Sequence, residues 1–76
     1  MICVVLKYKN ITCCAVTEGT VHERWILIKD SHFTVSHLRQ MGVEIVAYVP
    51  SSYFGSFTYD QQEDLMEALL VDEKPV

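Results

Sequence analysis

The chain has 76 residues, half of them apolar and 21% charged, with a formal net charge of −4. That length gives one domain with a small core, because a chain this short buries only roughly 60% of the surface its unfolded form exposes. The composition excludes a disordered chain, and no run reaches the ~20 apolar residues of a membrane-spanning helix.

The opening "MICVVLKYK" has no basic n-region and no small-residue cleavage site, so it reads as a strand and not as a signal peptide. A cytoplasmic location is the expectation. Over residues 2–9, Ile2, Val4, Leu6 and Tyr8 alternate with Cys3, Val5, Lys7 and Lys9, the period of a strand. Lys9-Asn10 suits a two-residue turn. "ITCCAVT", residues 11–17, is β-branched and apolar and gives a second strand, Glu18-Gly19 a second turn, and residues 20–29 a third strand ending in "RWILIK".

Asp30-Ser31 opens a polar break, and Ser31 or Thr34 could cap a helix. Val35, Leu38 and Met41 form its short apolar stripe, and Gly42 stands where a glycine would end it. "VEIVAYV", residues 43–49, is the most strand-like run, stopped by Pro50. Thr58 with Gln61 has capping-box spacing, so a helix is expected from Tyr59 to about Val71, with a frayed tail over 72–76.

The order β-β-β-α-β-α predicts a single α+β domain over residues 1–76. Three strands make an antiparallel meander, a fourth arrives through a helical crossover expected to be right-handed, and both helices cover one sheet face. With tight turns, Leu6 falls opposite Cys13, and Cys13 opposite Arg24. Ile2, Val4, Leu6, Tyr8, Ile11, Cys13, Ala15, Ile26 and Ile28 then share the face the helices cover. The other face collects Cys3, Val5, Cys14, Val16, Val21, Trp25 and Leu27, with Lys7, Thr12 and Glu23, and is expected to stay half-exposed and apolar, with Trp25 near its centre. Tryptophan is a frequent interface anchor.

The last helix carries a sharper signal. At 100° per residue, Leu65, Met66, Leu69 and Leu70 fall on one side, and Asp60, Glu63, Asp64 and Glu67 on the other. Residues 60–76 hold six acids and one lysine, whereas residues 1–59 hold five bases and four acids. The net negative charge therefore sits in the C-terminal segment, and no basic residue interleaves the stripe in sequence. Just before it, "PSSYFGSFTYD" surrounds Gly55 with Tyr53, Phe54, Phe57 and Tyr59. Phe54 and Phe57 suit a core plug. Tyr53 and Tyr59 suit a recognition loop, because their hydroxyls want water or a partner, and Gly55 would allow a sharp turn.

Catalytic and metal motifs find little support. Cys3, Cys13 and Cys14 are odd in number, as free thiols in a reducing compartment would be. Neighbouring Cys13 and Cys14 point to opposite faces of a strand. A thiol or metal protein would need both to converge with His22, and no C-x-x-C or H-x-x-x-H occurs. No catalytic residue, cofactor or metal is expected. Direct nucleic-acid binding would demand a basic track, and the aromatic loop leads instead into acids.

The sequence thus predicts a non-enzymatic binding module or inhibitor. It would occupy a basic surface of a protein or nucleoprotein partner through Asp60, Glu63, Asp64 and Glu67, with Tyr53, Tyr59 and Trp25 as further contacts. At the level of class, it resembles the small phage and mobile-element proteins that block host nucleoprotein machines, anti-CRISPR proteins among them. That analogy rests on size and charge and on no particular residue. The alternative is a small homodimeric regulator joined through the Trp25 sheet face.

Overall fold

A computed structural model describes residues 2–18 and 25–73. The described residues form a five-stranded antiparallel sheet with two α-helices, an α+β fold. The strands are β1 (Ile2–Tyr8), β2 (Ile11–Glu18), β3 (Trp25–Ile28), β4 (Ser31–Thr34) and β5 (Glu44–Pro50). Helix α1 (Val35–Gln40) joins β4 to β5, and α2 (Tyr59–Glu73) closes the described chain. Across the sheet the order is β4-β3-β2-β1-β5.

The first hairpin forms as expected. Lys9-Asn10 joins β1 to β2, and Leu6 lies opposite Cys13. Lys9 itself takes the left-handed conformation, φ 55°. The expected polar break at Asp30-Ser31 is instead a second hairpin. Lys29, also at φ 55°, and Asp30 turn the chain into β4, which pairs along its whole length with β3. This adds a strand to the expected four. The strand of the "VEIVAYV" run is β5, and it is antiparallel to β1 at the far edge of the sheet. The handedness rule for parallel crossovers therefore has no parallel pair to act on.

The β2–β3 register departs from the tight-turn expectation. Glu18 pairs with Trp25, Thr17 with Ile26 and Val16 with Leu27. Gly19 and Arg24, on which the expected turn and the Cys13–Arg24 pairing rested, lie outside the described residues. The offset is an even number of residues, so the faces are preserved. Val4, Leu6, Tyr8, Cys13, Ala15, Ile26 and Ile28 form the core with Val35, Leu38 and Val43 from around α1 and Leu65 and Leu69 from α2. Both helices thus contribute to the core on the face expected to be covered.

Local signals fix the helix ends. The Thr34 hydroxyl accepts the His37 amide at 3.0 Å, so Thr34 and not Ser31 caps α1. At its C-terminus the Val43 amide donates to the Leu38 carbonyl (2.9 Å) and the Gly42 amide to that of Arg39 (3.0 Å). This is a Schellman motif, with Leu38 and Val43 both in the core. Gly42 takes φ +91°, a conformation that L side chains rarely adopt. Before α2, the Thr58 amide donates to Gln61 Oε1 at 3.0 Å, one half of the capping box.

Helix α2 is anchored to the sheet by both hairpin tips. Near its N-terminus, Gln62 is 4% exposed. Its amide nitrogen donates to the Cys14 carbonyl (2.8 Å), and its oxygen accepts the Lys29 amide (2.9 Å). Cys14 and Lys29 would be ladder partners if the β2–β3 register continued past Val16 and Leu27. The Gln62 side chain takes the place of that lost rung. Near the other end, Tyr8 donates a hydrogen bond to Asp72, and Lys9 Nζ pairs with the same carboxylate at 2.7 Å. The Lys9 and Tyr8 hydrogen bonds hold the Asp72 carboxyl below its ordinary range, and Asp72 raises Lys9 in return.

Candidate partner-binding surface

The acidic stripe is on the surface. Asp60, Glu63, Asp64 and Glu67 are all exposed, opposite the buried Leu65 and Leu69. The apolar side is narrower than periodicity suggests. Met66 is half-buried, and Leu70 is 57% exposed. Leu70 and Val71 thus add an open apolar flank to the helix.

Folding brings one cation to the stripe that sequence spacing cannot show. Lys29 Nζ, from the β3–β4 turn, lies 3.4 Å from the Glu63 carboxylate and 5.3 Å from the centre of the Tyr59 ring. Its left-handed backbone aims the side chain at α2. Such a surface pair is worth little, about 0–1 kcal/mol, but it partly neutralises Glu63. Asp60, Asp64 and Glu67 have no ion pair among the described residues. The sequence signal that could have found Lys29 is a turn-forming lysine between two short strands, and it is visible only once β4 is recognised.

The aromatic stretch divides by exposure, but Phe54 and Phe57 do not form the core plug expected of them. Ser51–Ser56 curls as a 3₁₀ helix alongside β1 and β2. Phe54 and Phe57 are half-buried, while Tyr53 and Tyr59 are 52% and 55% exposed. Neither phenylalanine belongs to the main core. Gly55 has an ordinary φ, and a Cβ there would meet nothing within 4 Å. The turn therefore does not depend on glycine at this position, contrary to the expectation.

Trp25 lies apart from the stripe. As the first residue of β3 it pairs with Glu18 and Thr34, at the end of the sheet and not near its centre. Its neighbour Ile26 points into the core, so the indole leaves by the opposite face. It is 42% exposed and meets the His32 ring edge-on at 6.5 Å. His32 Nε2 lies 2.7 Å from Glu18 Oε2. The rest of this face is more closed than expected, since Cys3 and Cys14 are 1% and 2% exposed.

Cys13 and Cys14 leave β2 on opposite faces, so they do not converge, and His22 lies outside the described residues. Burial, with a smaller contribution from Cys14, pushes the Cys13 thiol up to about 12. Burial and the adjoining Cys3 push Cys14 up to about 11. At neutral pH both are protonated and poorly nucleophilic. A disulfide-exchange reagent should label neither in the native protein and should label both in denaturant, with absorbance of the released thiolate as the readout. Rapid native labelling would show the burial to be transient. Among the described residues no group of three or more His, Cys, Asp or Glu side chains is placed to hold a metal ion, and no helix is long and apolar enough to cross a membrane. Comparison of the chain with protein-family models, curated sequences and solved structures finds no match.

Proposed function

We propose that this protein is a non-enzymatic, cytoplasmic binding module that occupies a basic surface of a protein or nucleoprotein partner. The contact is the outer side of α2, with Tyr59 at its first turn and Tyr53 in the 3₁₀ segment that precedes it. The observation that carries this reading is the unpaired state of Asp60, Asp64 and Glu67. Three exposed carboxylates on one helical side have no cation among the described residues, and like charges so spaced cost a few tenths of a kcal/mol per pair. Asp60 recovers part of that from the helix N-terminus; Glu67, two turns on, does not. Trp25 points away from this surface and is not part of it.

The test replaces Asp60 and Asp64 with Asn and Glu63 and Glu67 with Gln. The variant should be as stable as the parent or slightly more so. Immobilised wild-type protein should retain a partner from lysate that elutes as salt rises, because charges farther apart than ~8 Å are screened at 0.15 M. The neutralised variant should bind that partner about ten-fold more weakly or worse, with most of the loss in the association rate. Equal binding by the two proteins, with no salt dependence, would remove α2 from the interface.

A further inference from the structure

Among the described residues β5 forms one edge of the sheet, hydrogen-bonded to β1 on one side only. It is seven residues long, "EIVAYVP", and Glu44, Val46, Ala47, Tyr48 and Pro50 are all exposed. A long apolar edge with unpaired backbone groups is a template for another strand, and proteins usually blunt it with lysine, a mid-strand proline or a covering element. Here the single charge and the single proline stand at the two ends. The opposite edge, β4, is only four residues long and largely polar, and it runs directly into α1.

We propose that β5 is a homodimerisation edge, on which two copies pair their β5 strands antiparallel about a two-fold axis at Tyr48. Three features select a second copy as the occupant. The first is self-complementarity. With Tyr48 opposite its counterpart, Ala47 meets Val49, and Val46 meets Pro50. Val46 is the bulged residue of β5, without an opposite number on β1, because Ala47 pairs with Val5 and Ile45 with Leu6. Proline has no N–H to donate. The two irregular positions of the strand thus fall opposite each other at the ends of the pairing, and its regular part lies at the centre. The second is closure. A β5–β5 contact uses the same patch on both copies and stops at two, whereas pairing β5 to β4 would match seven residues to four and continue without end. The third is charge. The acidic stripe of Asp60, Glu63, Asp64 and Glu67 sits on α2, which packs against β2, and β1 separates β2 from β5. Glu44 falls beyond the central pairs, so edge pairing joins two acidic proteins away from their acidic stripes. Tyr48, 47% exposed in the single chain, becomes a cross-strand aromatic pair.

Sedimentation velocity over a rising concentration series of the wild-type protein tests this. A reversible dimer is expected. Tyr48→Lys and Tyr48→Glu should each weaken it about ten-fold or more, by setting like charges across the axis. An equimolar mixture of the two variants should restore it, whereas Trp25→Ala should leave it intact. A wild-type protein that stays monomeric at its highest soluble concentration overturns the proposal. So does a dimer indifferent to both Tyr48 variants, or one abolished by Trp25→Ala. If the Tyr48 variants fail to fold, hydrogen exchange on the wild type decides. The β5 amides should gain protection as concentration rises, and protection independent of concentration overturns the proposal.

Discussion

Gln62→Leu is expected to lower the unfolding free energy by about 2–3 kcal/mol, because it leaves the Cys14 carbonyl and the Lys29 amide without their partner. For a domain of this size that corresponds to a fall of about 8–24 °C in the thermal midpoint. Gln62→Glu gives a sharper result. The ionised carboxylate accepts from Lys29 but cannot donate to Cys14, and it sits in a buried site. Its folded-state pKa should therefore be raised above the ordinary value near ~4.3. The destabilisation should be small below about pH 4, where the protonated carboxyl again offers one donor and one acceptor. It should grow as the pH rises through the folded pKa. Thermal melts of the variant and the wild type at matched pH would show this. An unchanged midpoint for Gln62→Leu would mean that water or a shift of α2 satisfies both groups.

The second large effect concerns two leucines five residues apart. Leu65 is fully buried and Leu70 is 57% exposed. Leu65→Ala should cost about 2–5 kcal/mol, transfer and cavity together. Leu70→Ala should stay within about 0.5 kcal/mol. Against a total stability of about 4–11 kcal/mol for a chain of this length, the first change removes a large share of what holds the fold. Urea denaturation with a common slope would measure both. Equal effects would place α2 in a different rotation about its axis from the one described.

These two sites show what could be read from the sequence. Alternation in residues 2–17 gave two strands, their turn and the core face correctly, because a half-buried strand must alternate. Thr34, Gly42 and Thr58 with Gln61 marked helix ends, because capping is a local hydrogen-bonding problem solved by few residue types. Strand β4 was hidden. "SHFT" has no apolar run, and its turn begins with a lysine at positive φ, a conformation usually left to glycine or asparagine. Gln62 was hidden too. A glutamine on a helix reads as surface, and its burial depends on where Cys14 and Lys29 end up in space. The acidic stripe was legible as a stripe, because its spacing is internal to one helix. Lys29 beside Glu63 was not, since that contact needs the second hairpin. The sequence reading puts Trp25 on the correct face but too near the centre, because Trp25 pairs with Glu18, six residues from the partner that a Glu18-Gly19 turn implies.

Helix α2 touches the tips of both hairpins and one rung between them, through Asp72, Glu63 and Gln62. Each of these contacts needs the Lys9 turn, the Lys29 turn or the β2 backbone at Cys14 in its native position. Docking of α2 and closure of the two hairpins are therefore coupled, and release of the helix would loosen both at once. A sheet of short strands is thereby tied into a single cooperative unit, with the fifteen-residue helix acting as the latch across its two hairpins.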